Sequence, residues 1–328
     1  MALRRVQKIW KGLLAGGAGM AALAALNATI ARGANEPDDT ALGGALRPHP
    51  TPYGDLCYRV AGAENAPPLV FLHSVGAGAS AFMWRRNFDP LAADCRVYAL
   101  DLLGFGHSAK PAAAPYSADL YVEQLANFLR ATVGPGAHLV AHATSAPFAV
   151  RVADEAPELV GALTLVAPAG VDNRDARPDL PGAAFYGLLH SPVLGTSFYN
   201  AMTSERSIRD YARTRLFYDR RLATPRHVAH TYAASHQLGA QHAMVAFLSG
   251  FLQTEARAAF ARLAQPVTLV WGRQDVTNPI ERAAVLLALN PRARLDIFDR
   301  ARLMPHHEHP DRFNALLRQH LRARSAAA

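Results

Sequence analysis

The sequence predicts an α/β protein with a doubly wound, mostly parallel sheet, and three observations lead to this prediction. Short apolar runs bounded by turn residues alternate with segments of helical periodicity. Half of the residues are hydrophobic (50%) and only 18% are charged, which is typical of a folded chain with a sizeable core. The length of 328 residues suits one large domain with an insertion, or two small domains.

The apolar runs that predict strands begin at residue 53, where Tyr53–Val60 is the first. The others are Leu69–Leu72, Val97–Leu100, His138–His142, Leu163–Val166, Val267–Trp271 and Leu295–Phe298. Helical patterns lie between the early runs, at Ala118–Thr132 and Pro147–Glu155. In such sheets the ligand site lies beyond the carboxyl ends of the strands, so the residues that follow each run are the candidates for function.

Residues 1–34 have a different composition from the rest of the chain. The basic side chains come first, at Arg4, Arg5, Lys8 and Lys11. The apolar run Gly12–Ile30 follows, and it is just long enough to span a thin bilayer as a helix. This order predicts a retained membrane anchor with its basic end in the cytoplasm. An export signal and an amphipathic tail are the alternatives. Residues 35–52, broken by prolines and glycines, are expected to form a linker.

The formal charge of +8 does not indicate a nucleic-acid partner. Four of the positive charges belong to residues 1–11, and the rest are nearly all arginine, since Lys110 is the only lysine after Lys11. No stretch contains a groove-reading motif, so nucleic acid is not expected as a partner, and no cofactor is expected. Cys57 and Cys95 lack metal-site spacing and are expected to be buried free thiols, with pairing in an oxidising compartment left open.

Two motifs between Pro67 and Pro111 make the fold prediction specific. The letters HSVG (residues 73–76) follow the run Leu69–Leu72, and DLLGFGHS (residues 101–108) follows the run Val97–Leu100. With these motifs the chain resembles the α/β-hydrolase superfamily, in the branch of haloalkane dehalogenases, C–C bond hydrolases and chlorophyll-dephytylating enzymes. The resemblance implies an α/β-hydrolase core of residues 53–171 and 256–328, with a helical cap over residues 172–255.

The superfamily holds its nucleophile in G-x-S-x-G, on a strained turn between strand and helix. The resemblance places Ala143 at that position, and alanine has no hydroxyl. Ser145 is an alternative nucleophile, although we expect it to pack or cap the first turn of the helix beside Pro147. By the same resemblance, Val75 and Thr144 would supply the N–H groups of the oxyanion hole.

Of the other two triad positions, the acid position keeps a carboxylate and the histidine position does not keep a histidine. Asp275 follows the run Val267–Trp271, at the position of the triad carboxylate that orients an imidazole. Near the last helix, the alignment with the superfamily places Leu303 at the histidine position, and His306 is the alternative. The histidines within residues 306–309 also suggest a metal site, but no distant partner is identifiable and no metal is expected.

Loss of a serine-triad nucleophile or histidine lowers kcat on the order of 10⁶-fold. We therefore expect a membrane-associated α/β-hydrolase-fold protein with a degenerate triad that binds an apolar or lipid-like ligand, or a partner, beneath an aromatic-rich cap. One alternative is an active hydrolase of apolar esters in which Asp275 works with water, Ser145 or His306. Another is a structural subunit of a membrane protein complex, recruited through residues 1–34.

Overall fold

The computed structural model describes residues 19–33, 36–172, 186–187, 189 and 191–325. Its strands are β1 Ala45–His49, β2 Leu56–Ala61, β3 Pro68–Leu72, β4 Arg96–Leu100, β5 Ala137–His142, β6 Val160–Val166, β7 Val267–Gly272 and β8 Arg294–Phe298. They form one eight-stranded sheet in the order β1-β2-β4-β3-β5-β6-β7-β8. Strands β3 to β8 are parallel, whereas β1 and β2 run antiparallel to their neighbours. The predicted doubly wound, mostly parallel sheet is confirmed.

The described residues form helices on both faces of this sheet, and other helices pack farther from it. In chain order the helices are α1 (residues 19–32), α2 Phe88–Leu91, α3 Ala118–Phe128, α4 Ala146–Glu155, α5 Leu194–Met202, α6 Glu205–Tyr211, α7 Pro225–Ser235, α8 Gln241–Leu248, α9 Arg257–Arg262, α10 Arg282–Leu289, α11 Pro305–Glu308 and α12 Pro310–Ser325. The segments Leu129–Val133 and Ala212–Leu216 continue α3 and α6 as π-helical turns. Helix α3 begins after Ser117, whose hydroxyl accepts the N–H of Leu120 and so satisfies a donor that the helix leaves free.

The core has two layers because side chains alternate along each strand. On β3, Val70 and Leu72 pack with helices α3 and α4 on one face of the sheet. Leu69 and Phe71 point to the other face, where they pack with residues of α2 and α12. All four side chains are fully buried, as expected for a parallel strand covered on both faces.

The expected linker over residues 35–52 is wrong in its second half, because Ala45–His49 forms β1 and pairs with β2. This strand lies at the edge of the sheet, where Pro48 is tolerated since a ladder hydrogen bond is needed on one side only. The ring of His49 fixes the strand, with Nδ1 and Nε2 each 2.9 Å from the side-chain oxygens of Thr132 and Asn127. The proline-rich composition hid this strand.

Helices α5–α8 lie between β6 and β7, within the range predicted for the cap. The first part of that range, residues 173–185, lies outside the described residues. Helices α7 and α8 are separated by a turn in which Gly239 has a positive φ of 84°.

Most of the predicted membrane anchor, residues 1–18 with the basic side chains, lies outside the described residues. In the part of the chain that is described, no helix has both the length and the apolar character needed to cross a membrane. Cys57 and Cys95 are free thiols, of which Cys95 is buried and Cys57 half-buried.

Candidate functional site

Ala143 lies on the turn between β5 and α4. The turn Ala143–Ser145 separates the strand from the helix, and Ala143 has a left-handed backbone with φ of 46°. For a residue other than glycine this conformation costs roughly 1–2 kcal/mol. The small side chains of Ala141 and Ala146 are fully buried where the helix leaves the strand. The strained strand-to-helix turn expected at this position is present.

Ala143 packs in a small apolar cluster with Ala167, Leu303 and Leu216. Ala167 follows β6 and also has a positive φ, of 45°. Leu303 precedes α11, and Leu216 comes from the π-helical turn of the cap. The structure therefore brings together the two residues that the sequence places at the nucleophile and histidine positions, and their contact is hydrophobic. We call these four residues the apolar cluster.

The backbone N–H of Val75 is already bonded. It donates to the Thr144 hydroxyl at 2.7 Å, and the same hydroxyl lies 3.2 Å from the Val75 carbonyl, to which it donates. An oxyanion hole needs N–H groups aimed at the developing charge. With the Thr144 side chain in this position, the Val75 N–H is not available for an oxyanion.

Ser145 is fully buried, and its hydroxyl forms hydrogen bonds with the backbone of the preceding strand. Its Oγ accepts the N–H of His142 at 3.2 Å and donates to the carbonyl of His142 at 3.0 Å. These bonds join the turn to the last residue of β5, and Ser145 makes no side-chain hydrogen bond to the first N–H groups of α4. Ser145 is therefore a packing residue and not the cap of that helix. The alternative that makes Ser145 the nucleophile does not fit a side chain with no exposed surface.

Asp275 follows β7 and is buried. Its Oδ1 accepts the N–H groups of Thr277 and Asn278 at 2.8 and 3.0 Å, whereas Oδ2 has no hydrogen-bond partner among the described residues. Burial raises the pKa of Asp275 to about 6, against the opposing effects of the two amides and of the Arg302 charge. The side-chain amide of Asn278 donates to the Ala167 carbonyl at 2.9 Å, which holds this loop against the apolar cluster.

His306, the alternative histidine, is fully buried among aromatic rings. Its ring centroid lies 4.3 Å from that of Trp84 and 5.2 Å from that of His142. Burial holds the pKa of His306 well below its usual value, and the neighbouring His142 lowers it further. Such a neutral, enclosed ring is typical of a packing residue and gives no support to His306 as a substitute base.

His142 is a site residue that the sequence reasoning missed. Its Nε2 lies 2.8 Å from the Leu303 carbonyl, and Nε2 carries the proton because a carbonyl only accepts. Burial lowers the pKa of His142 to about 4, so the ring is neutral at pH 7. The bond joins the end of β5 to the loop that carries Leu303. Its only sequence signal is its place beside Ala143, the residue predicted at the nucleophile position.

The loop that carries Leu303 is also bonded to the cap. Arg302 donates through Nη1 to the Thr214 carbonyl at 2.5 Å, and its backbone N–H donates to Glu308 Oε2 at 2.8 Å. The other oxygen of Glu308 accepts the N–H groups of Tyr218 and Asp219 at 2.7 and 3.1 Å. These bonds hold residues 214–219 of the cap against residues 302–308.

Two cavities have no residue of the apolar cluster in their linings. One of about 20 Å³ is lined in part by Asp38, Ser80 and His230. The other, of about 410 Å³, is an open groove beside Ala31 and Leu238. Within the described ranges, no group of three or more histidine, cysteine, aspartate or glutamate side chains is arranged to hold a metal ion.

Comparison with known proteins agrees with this fold. A model described as "Alpha/beta hydrolase family" matches residues 69–316, which is most of the chain. The chain belongs to the alpha/beta hydrolase family. One relative within this family, 2-hydroxymuconate semialdehyde hydrolase of Pseudomonas sp. (strain CF600), is 30% identical over 270 residues, or 80% of this chain and 89% of the relative.

A second relative is named for a different activity. The dihydrolipoyllysine-residue acetyltransferase component of the acetoin cleaving system from Cupriavidus necator is 28% identical, over 78% of this chain and 64% of the relative. The structure of a meta-cleavage product hydrolase from Pseudomonas fluorescens IP01 aligns with a TM-score of 0.69 at 24% identity, over 86% of this chain and 98% of the other. A membrane phospholipase A aligns with a TM-score of 0.66 at 23% identity, over 97% and 99%. These structural matches show a shared fold.

Proposed function

We propose that this alpha/beta hydrolase family member does not hydrolyse substrates through a Ser-His-Asp triad and that it uses the fold for binding. The observation that supports this most strongly is Ala143 on the strained turn after β5, packed with Leu303 in the apolar cluster. Ala143 is proposed to stand at the nucleophile position and Leu303 at the histidine position.

The chemistry of acyl transfer explains why this substitution is decisive. A serine triad needs a hydroxyl to attack the carbonyl carbon and an imidazole to accept the hydroxyl proton. A methyl group and an isobutyl group can do neither. The Thr144 hydroxyl on the Val75 N–H adds a second obstacle, because it occupies a donor that would stabilise an oxyanion.

The proposed ligand is an apolar or lipid-like small molecule. The apolar cluster lies at the carboxyl edge of the sheet, where α/β proteins bind ligands, and Leu216 contributes to it from the cap. Membrane association through residues 1–34 is part of the same proposal, supported by the order of basic and then apolar residues in that segment.

A fluorophosphonate probe tests the proposal directly, because it labels an activated serine covalently. We expect no labelling of the wild-type protein, whereas the double variant Ala143→Ser/Leu303→His should acquire measurable labelling. Ser145→Ala is the matched control, and like the wild type it should not be labelled. Stoichiometric labelling of the wild-type protein would refute the proposal, and an unlabelled, folded double variant would remove support for the two position assignments.

A second candidate function is hydrolysis assisted by Asp275. The buried Oδ2, which lacks a hydrogen-bond partner within the described ranges, and the pKa of about 6 suit a carboxylate that accepts a proton from water near neutral pH. Asp275→Asn keeps the size and the acceptor oxygen but cannot take up that proton. If a panel of apolar esters reveals turnover, this variant should abolish it; turnover that persists in Asp275→Asn rules the candidate out.

A further inference from the structure

Helix α1 packs on the cap through one stripe of side chains and leaves Leu26 outside that stripe. Among residues 19–33, Asn27 is the one buried residue, at 8% exposed. Leu23 and Ile30, four and three positions from Asn27 on the same side of the helix, are half-buried. Leu26 is 55% exposed.

Asn27 holds α1 on the cap helix α5. Its Nδ2 donates to the Val193 carbonyl and to the Ser197 hydroxyl, both at 3.1 Å, and its Oδ1 accepts the side-chain amide of Asn200 at 3.0 Å. Because the amide group is bonded on both sides, it fixes the position of α1. Leu26 therefore stays directed outward.

The exposed apolar surface continues from α1 onto its neighbours. Leu194 and Phe198 lie one turn apart on α5, next to the residues that bind Asn27, and Phe198 is 48% exposed. Beyond the C-terminal end of α1 the surface is polar, because the 410 Å³ groove beside Ala31 is lined by Glu36 and Lys110 as well as by Leu238. The exposed residues of the apolar surface, which we call the α1–α5 face, are Leu26, Leu194 and Phe198.

The charge of the first 35 residues indicates which partner this face would bind. The first 35 residues contain no acidic residue, and their basic residues are Arg4, Arg5, Lys8, Lys11 and Arg32. A second copy of the chain would bring a further formal charge of +8 towards them. A bilayer with anionic headgroups offers the opposite charge together with an apolar layer.

We propose that the α1–α5 face docks on the surface of an anionic phospholipid bilayer, with Phe198 and Leu194 entering the boundary between headgroups and acyl chains. This inference rests on the membrane association proposed above and assigns it to a surface. It also places the cap, rather than the sheet, next to the lipid. A lipid-like ligand would then approach from the side of α5.

Vesicle flotation of the full chain tests this assignment. We expect the protein to float with vesicles of phosphatidylcholine and phosphatidylglycerol and to float less with phosphatidylcholine alone. Leu194→Glu/Phe198→Glu should lower the bound fraction on the order of tenfold, because two apolar anchors are replaced by charges that the headgroups repel. The matched control is Val285→Glu, at a comparably exposed apolar residue on α10, and should bind as the wild type does.

The outcomes separate this inference from the proposals before it. Unchanged flotation of Leu194→Glu/Phe198→Glu overturns the assignment of the face. If binding is then abolished by replacing the four N-terminal basic residues with glutamine, the protein associates with membranes through those residues and not through this face. Failure of the wild type to bind either vesicle overturns both. A wild-type dimer that this double variant converts to a monomer would instead assign the face to a second copy. Fluorophosphonate labelling is independent of all of these results.

Discussion

The buried ring of His142 should make the protein less stable in acid. Its pKa is near 6.5 in an unfolded chain and about 4 in the folded protein, because burial disfavours the charged form. Between these values the unfolded chain binds the proton and the folded protein does not. Stability is therefore complete above pH 6.5 and falls as the pH drops towards 4, by about 3 kcal/mol for this ring alone.

His142→Gln isolates this contribution. The glutamine amide can still donate to the Leu303 carbonyl, but it cannot take up a proton. Urea unfolding followed by circular dichroism from pH 7 to pH 4 should show a wild-type free energy of unfolding that falls more steeply than that of the variant, by up to about 1.4 kcal/mol per pH unit. The difference contains part of the titration of His306, whose ring lies 5.2 Å away.

The matched control for this prediction is His309→Gln, which removes a half-buried histidine outside that aromatic group. We expect its unfolding curve to follow the wild-type dependence on pH. If wild type and His142→Gln lose stability in parallel between pH 6.5 and pH 4, then burial of a neutral His142 does not determine the acid response, and the reasoning is refuted.

Three further variants test other contacts. Asn27→Ala removes the amide that holds α1 on α5, so amide hydrogen exchange of residues 19–33 should become faster while that of β3 and β5 stays unchanged; equal protection of α1 would contradict its role. Thr144→Val leaves the buried Val75 N–H without its acceptor and should lower the free energy of unfolding by about 1–3 kcal/mol in urea titrations, whereas an unchanged midpoint would show that the bond is unimportant. Glu308→Ala removes the acceptor of three backbone N–H groups, and we expect limited proteolysis near residues 214–219 to become faster; wild-type resistance would show that the cap is held by other contacts.

Most of the fold could be predicted because the strands are short apolar runs that end at turn residues. β5 and β7 are each within one residue of the predicted bounds. β1 was hidden, since an edge strand needs neither strong hydrophobicity nor an unbroken set of N–H donors. Its membership in the sheet depends on pairing with β2 and on the bonds of His49, and neither leaves a local pattern in the sequence.

The positions of the site residues along the fold could be predicted, but the hydrogen bonds between them could not. The superfamily resemblance was sufficient to predict Ala143 as the residue on the strained turn, where the structure has it. The Thr144 hydroxyl on the Val75 N–H joins residues 69 positions apart, and the His142 bond to Leu303 joins residues 161 apart. Such bonds depend on the tertiary arrangement, which periodicity does not encode. From the sequence alone, Asn27 only lowers the hydrophobicity of a possible membrane span, and its role is clear only from its hydrogen bonds to α5.

The bonds of Arg302 and Glu308 to the cap have a consequence for the rate at which a ligand exchanges. A molecule that enters or leaves between residues 214–219 and residues 302–308 must first separate the Thr214 carbonyl from Arg302 and the N–H groups of Tyr218 and Asp219 from Glu308. The cost of breaking these contacts is added to the barrier in both directions, so they slow capture and release by the same factor and leave the equilibrium affinity unchanged. A ligand held behind them would have a long residence time even if it bound only moderately tightly.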